Sequence, residues 1–181
     1  MKILFVVDMQ KDFIDGSLGT NEAVAIVPAV KAKIEEYRKN GDLVIFTADT
    51  HNETYLDTPE GQKLPIKHCI KGTDGWRIHP TLVKDNDFVL CKSNFGMSDV
   101  GEMLTDILRD SGNIDAELDC IEMVGLCTDI CVISNALILK STFSYPPIKV
   151  DAKCCAGTTP DKHRYALEVM KSCQIDVVND D

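Results

Sequence analysis

The chain has 181 residues, of which 44% are hydrophobic and 27% charged, the proportions of a globular protein able to bury a sizeable core. A formal net charge of -10 argues against nucleic acid or an anionic membrane surface as a partner. The apolar run at residues 3–7 is too short for a signal peptide or a membrane span, and no other run approaches one, so a cytoplasmic protein forming one domain over residues 1–181 is expected.

Residues 2–8 read as a strand buried on both faces, being nearly continuous in apolar and β-branched side chains. Residues 23–37 carry apolar positions at helical spacing, and Asn40-Gly41 supplies the stop. A second strand is expected at 43–47. Residues 49–86 are irregular and hold several prolines and glycines, too long an excursion to be an idle connection in a compact domain. A strand at 88–91, a helix at 99–108, a strand at 120–124 and a helix at 129–140 follow. The pattern closes with a strand at 148–152, a helix at 160–172 and a short strand at 175–178. Alternation of this kind predicts an α/β protein with a parallel sheet covered by helices on both faces.

The eight cysteines stand at 69, 91, 120, 127, 131, 154, 155 and 173. They form no pair of CxxC knuckles, and without an export signal reduced thiols are expected rather than a disulfide framework.

Open parallel sheets bind ligands beyond the carboxyl ends of their strands. Asp8, Asp49, His51, Lys92 and the stretch 125–131 all fall there. Cys131 lies in the first turn of a helix that Thr128 or Asp129 would cap, where the helix terminus should favour the thiolate. Cys127 precedes the helix and feels less of that field. Asp8 is then a candidate base and Lys92 a candidate counter-charge. Asp49 and His51 are two apart in extended chain and can face one side. With His68 they offer a carboxylate and two imidazoles, a donor set suited to Zn²⁺, Fe²⁺ or Mn²⁺.

Three stretches, VVDMQKDF (6–13), LCKSNF (90–95) and GLCTDICV (125–132), occur in the order seen in the cysteine hydrolases of the isochorismatase-like superfamily. The chain resembles that family, and within it the nicotinamidases, from residue 5 to about residue 170. The resemblance implies a three-layer α/β/α fold with a parallel, Rossmann-like six-stranded sheet ordered 3-2-1-4-5-6. It implies Asp8, Lys92 and Cys131 as catalytic residues, and a cis Leu126–Cys127 peptide. The backbone N–H groups of Cys127 and Cys131 would form the oxyanion hole. The metal ligands would be Asp49, His51 and His68, with Glu60 as a further carboxylate, holding zinc or alternatively iron or manganese. Phe13 and Phe95 would flank a flat ring, while Trp76 packs beneath the loop. In the closing segment AGTTPDKHRYALEVM (156–170), His163 reads as a helix-surface residue. CVISNA departs from the pattern at Asn135, where a hydroxyl residue is more usual, with consequences expected for packing behind the site.

The implied activity is hydrolysis of nicotinamide to nicotinate and ammonia through a cysteine thioester. The rivals are an amidase of the same family acting on another small amide or carbamoyl compound, and a non-catalytic thiol- or metal-binding protein on the same fold. The implied partner is a small-molecule amide, and a homo-oligomer is compatible with the sequence.

Overall fold

A computed structural model describes residues 1–180. The elements in chain order are β1 (Lys2–Val7), α1 (Lys11–Ile14), α2 (Asn21–Asn40), β2 (Leu43–Asp49), a short 3₁₀ turn (Tyr55–Asp57) and α3 (Pro59–Lys63). They continue with β3 (Phe88–Lys92), α4 (Val100–Asp110), β4 (Cys120–Leu126), a π turn (Thr128–Val132), α5 (Ile133–Thr142), β5 (Ile148–Ala156), α6 (Pro160–Ser172) and β6 (Asp176–Val178). Among the described residues the strands form one six-stranded sheet ordered β3-β2-β1-β4-β5-β6, with all neighbours parallel. This is the expected order.

The central strand shows why the sheet is covered on both faces. Ile3, Phe5 and Val7 enter one apolar cluster with α4 and α5, and Leu4 and Val6 enter another with α2. All five are fully buried. Each such side chain contributes about 1.5–3 kcal/mol relative to exposure, which is why an uninterrupted apolar run specifies the middle of the sheet. Thr20 caps α2 by accepting from Ala23 N at 3.0 Å. Gly41 ends it in the left-handed conformation at φ 76°, as Asn40-Gly41 predicts. Pro28 lies within α2 without ending it.

Several bounds differ from the sequence reading. β2 runs on to Asp49 and β5 to Ala156, because pairing continues past the apolar runs. In β5 it resumes after a register shift between Met123 and Gly125, with Leu126 opposite Ala156. The helix expected from 129 begins instead as the π turn. Among the described residues no helix is long and apolar enough to cross a membrane.

Candidate active site and metal-binding group

β1, β2, β3 and β4 deliver their last residues to one edge. Val7 pairs with Gly125, and Asp49 at the end of β2 pairs with Lys92 at the end of β3. Gly125 has φ 119°, and a Cβ there would lie 2.1 Å from Val7 O. Only glycine lets β4 approach the end of β1 so closely. The next peptide bond, Leu126–Cys127, is cis.

Asp8 follows β1 in a left-handed conformation, φ 48°, and is fully buried. Thr47 holds it twice. Asp8 N donates to Thr47 Oγ1 at 3.1 Å, and the Thr47 hydroxyl donates to Asp8 Oδ1 at 2.6 Å. Lys92 reaches across β2 to place Nζ 2.7 Å from Asp8 Oδ2. The contact is an ion pair whose angles are off hydrogen-bond alignment. The same ammonium lies 3.5 Å from Cys131 Sγ and 3.7 Å from Asp49 Oδ1, and donates to Asn94 O at 3.2 Å. Lys92 is therefore within reach of both other residues of the expected catalytic set.

Burial pushes the Asp8 carboxyl above its ordinary value, with Lys92 opposing and Asp49 adding to the rise. Burial also opposes charge on Lys92, but Asp8, Cys131 and Asp49 outweigh it and raise its pKa. Burial, reinforced by Asp8, pushes the Cys131 thiol well up despite Lys92. This push runs against the expectation of a thiolate favoured by a helix terminus. Cys131 is only 5% exposed, and desolvation penalises the anion more than one turn of backbone stabilises it. The expected cap is also absent. Cys127 occupies the N-cap position and no side chain caps the turn. Thr128 and Asp129 bond elsewhere, to His163 and Thr158. Cys127 is half-buried, and its thiol is pushed up to about 12, chiefly by burial.

The second cluster adjoins the first. One ligand atom each from Asp49, His51 and His68 lie within 4.8 Å of one another, a group that could hold a metal ion. His51 Nε2 is 2.8 Å from Asp49 Oδ2 yet is buried without a hydrogen-bond partner. His68 Nδ1 is 2.8 Å from Ile66 O, and that bond turns Nε2 inward as an acceptor. Glu60 Oε1 stands 3.7 Å from His51 Nε2 and 3.8 Å from His68 Nε2. An orphaned buried imidazole nitrogen, a second with its proton held on the far side, and two carboxylates fit a divalent cation. Burial opposes ionisation of Asp49, but the two imidazoles and Lys92 hold it well below the usual carboxylate range.

Several supporting residues carried no individual signal. Gln10 is fully buried and clamps Asp49 on both sides, with Oε1 accepting from Asp49 N at 2.7 Å and Nε2 donating to Asp49 O at 2.8 Å. Asp12 Oδ2 accepts from Cys69 N at 2.8 Å and ties down the loop beside His68. Both lie in VVDMQKDF, whose polar residues flanking Asp8 were the available clue. Tyr55 packs its ring 4.6 Å from that of His51 and 4.9 Å from that of His68. Asn135 does more than fill space. It donates to Cys131 O at 2.8 Å and to Phe95 O at 3.0 Å, and accepts from Met97 N at 3.0 Å.

Cys131 of the first cluster and Asp49, His68 and Glu60 of the second line one cavity of about 670 Å³, together with Phe13, Phe95 and Cys127. Phe13 and Phe95 both line it, and Phe95 is 47% exposed. Trp76 is bound under the loop, its indole N–H donating to Thr50 Oγ1 at 2.9 Å. His163 differs from its expected surface position. It is half-buried against the turn that carries Cys131, with Nδ1 2.7 Å from Thr128 Oγ1.

A family model described as the Isochorismatase domain matches residues 2–180. A curated relative, the nicotinamidase/pyrazinamidase of Mycobacterium tuberculosis, is 28% identical over 194 residues covering 98% of each chain. The pyrazinamidase of Pyrococcus horikoshii, solved in complex with zinc, superposes with a TM-score of 0.79 at 26% identity over 98% of each chain. The N-carbamoylsarcosine amidase of Thermoplasma acidophilum gives a TM-score of 0.75 at 29% identity, covering 97% of this chain and 94% of its own. The chain belongs to the isochorismatase domain family, as a nicotinamidase-like hydrolase of that superfamily.

Proposed function

We propose that the protein hydrolyses nicotinamide to nicotinate and ammonia, with Cys131 as nucleophile. The observation that carries this reading is the shared cavity, lined on one side by the Cys131 thiol, which Lys92 backs beside Asp8, and on another by the Asp49, His68 and Glu60 side chains of the metal-binding group. A reactive carboxamide and a ring nitrogen of one flat substrate can be addressed from these two walls.

In the proposed cycle Asp8 takes the Cys131 proton as the sulfur attacks the carboxamide carbon. A carboxylate made more basic by burial suits removal of a proton from a thiol that burial holds neutral. The N–H groups of Cys127 and Cys131 would receive the developing oxyanion. Asp8 passes its proton to the departing nitrogen, and ammonia leaves a thioester on Cys131. Asp8 then deprotonates a water that attacks the thioester. Nicotinate departs, and the proton on Asp8 returns to the sulfur. Lys92 remains charged throughout and steadies Asp8 in its ionised form. Asp49, His51 and His68, with Glu60 beside them, would hold a zinc ion, or alternatively iron or manganese, which supplies a Lewis-acid anchor for the pyridine nitrogen. Phe13 and Phe95 flank the ring.

The likeness to the N-carbamoylsarcosine amidase supports a second reading, a carbamoyl or other small amide as substrate. The paired imidazoles favour nicotinamide. Ammonia release from nicotinamide and from a carbamoyl amino acid, each with and without a chelator, tests the choice. Chelator-sensitive turnover of nicotinamide is expected, and turnover of the carbamoyl compound alone refutes it.

A further inference from the structure

Thr128 and Asp129 could both cap the turn that carries Cys131, and neither does. The fully buried Thr128 places Oγ1 2.7 Å from His163 Nδ1. Asp129 accepts from Thr158 N at 2.8 Å and from the Thr158 hydroxyl at 2.6 Å. Both side chains are thus committed to the corner between β5 and α6. Gly157 makes the approach possible. A Cβ there would lie 2.9 Å from Asp129 Oδ1 and 2.8 Å from His163 N. Crowding from both partners requires the glycine, and two unrelated bonds meet at one corner around it.

The turn is braced internally, because Cys127 O accepts from both Ile130 N at 3.0 Å and Val132 N at 3.1 Å. Its far side is held by Asn135, which donates to Cys131 O at 2.8 Å and to Phe95 O at 3.0 Å. The nucleophile turn is therefore clamped at two ends, by Asn135 towards the loop after Lys92, and by His163 and Thr158 towards the corner between β5 and α6. No slack segment lies between Thr128 and Cys131 to absorb a displacement at either end.

We propose that His163 is a positioning residue for Cys131, acting through Thr128 to set the orientation of the turn that presents the thiol and the N–H groups of Cys127 and Cys131. The inference rests on Cys131 being the nucleophile. His163 does not itself line the substrate cavity, although its backbone packs against Gly157, which does. Loss of its bond leaves the Asn135 clamp and the Asp129–Thr158 bonds in place, so the fold persists while the Thr128 end of the turn is free to shift. Asparagine can put an amide atom near the position of Nδ1 and restore the bond in either direction.

The test compares the metal-loaded wild-type enzyme with His163→Ala, His163→Asn, Thr128→Val and the Thr128→Val/His163→Ala double variant. Nicotinamide kcat and KM, Tm, and the rate at which iodoacetamide labels Cys131 at alkaline pH are measured for each. His163→Ala is expected to lower kcat by about tenfold to a hundredfold, the scale of a misplaced reacting group. KM should stay within about twofold, because ground-state binding is untouched. Labelling of Cys131 should quicken several-fold as the turn releases the buried thiol. His163→Asn should restore both readouts to near wild type, and the double variant should be no worse than Thr128→Val alone.

Wild-type kcat and labelling in His163→Ala would overturn the proposal, as would equal losses in His163→Ala and His163→Asn, or losses that multiply in the double variant. Should His163→Ala not fold, Thr128→Val decides: a kcat loss at unchanged KM supports the proposal and wild-type kcat overturns it. An inactive wild-type enzyme would count against nicotinamide as substrate. The labelling rates would still decide the role of His163, with faster labelling in His163→Ala but not His163→Asn in favour and unchanged rates against.

Discussion

Replacing Lys92 with methionine keeps the length and apolar stem of the side chain and deletes the ammonium. Lys92 and Asp8 side chains are 3% and 0% exposed and 2.7 Å apart. Two unit charges at that separation attract by about 6 kcal/mol at an effective dielectric near 20, much of it offset by desolvating both ions. Removing one partner leaves Asp8 buried beside the Asp49 carboxylate, with the Thr47 hydroxyl still donating to it at 2.6 Å. Breaking one side of a buried pair costs about 3–5 kcal/mol, and that is the stability loss expected for Lys92→Met at neutral pH. Asp8→Asn in the same chain removes the orphaned charge, so the double variant should regain about 2 kcal/mol or more of the loss.

The pH dependence has a definite sign. Burial already raises the Asp8 carboxyl while Lys92 opposes the rise, so deleting Lys92 raises the folded-state pKa further. An acid whose folded pKa exceeds its unfolded value destabilises the fold fully above the folded pKa, and progressively less as pH falls towards the unfolded value. The deficit of Lys92→Met should therefore be largest at neutral and alkaline pH and shrink on acidification. Urea unfolding followed by circular dichroism across that range, for the two single variants and the double, measures all of this. Lys92→Met as stable as wild type at neutral pH, or a double variant equal to the sum of the singles, would refute the reasoning.

Cys131→Ala should abolish ammonia release from nicotinamide, while Cys127→Ala should retain most of it because Cys127 contributes a backbone N–H; equal losses would reassign the nucleophile. His51→Ala should lose bound metal by elemental analysis and weaken capture of nicotinamide, yet Cys131 should remain alkylatable and any slow hydrolysis of benzamide unchanged. Normal nicotinamide kinetics in a metal-free His51→Ala preparation would sink the anchoring role of the ion. Brief iodoacetamide treatment at neutral pH should mark the exposed Cys91 and Cys173 before Cys131, whose thiol burial holds protonated. Peptide mapping that finds Cys131 labelled first would show that the thiolate is stabilised after all.

Local pattern was enough to expect a parallel sheet covered on both faces and to name candidate reactive residues at its edge. A strand buried on both faces must be apolar throughout, so residues 2–8 announced the centre of the sheet, and helical spacing at 23–37 with Asn40-Gly41 announced α2 and its end. Reactive side chains just after strands can be read from order alone, because parallel strands bring their carboxyl ends to one edge. Asp8, Asp49, His51, Lys92 and Cys131 were legible in that way. The tertiary structure decided whatever depended on distance through space. Lys92 meets Asp8 only because a long side chain spans β2 between them. Thr128 and Asp129 look like caps in isolation, and the corner between β5 and α6 claims both instead. Gln10, Thr47, Tyr55 and Asn135 act through partners far along the chain, beyond the reach of any local periodicity. The upward push on the Cys131 thiol has the same origin. A helix terminus is a property of a few consecutive residues, whereas desolvation is summed over every element packed around the thiol, and in a buried site the second outweighs the first.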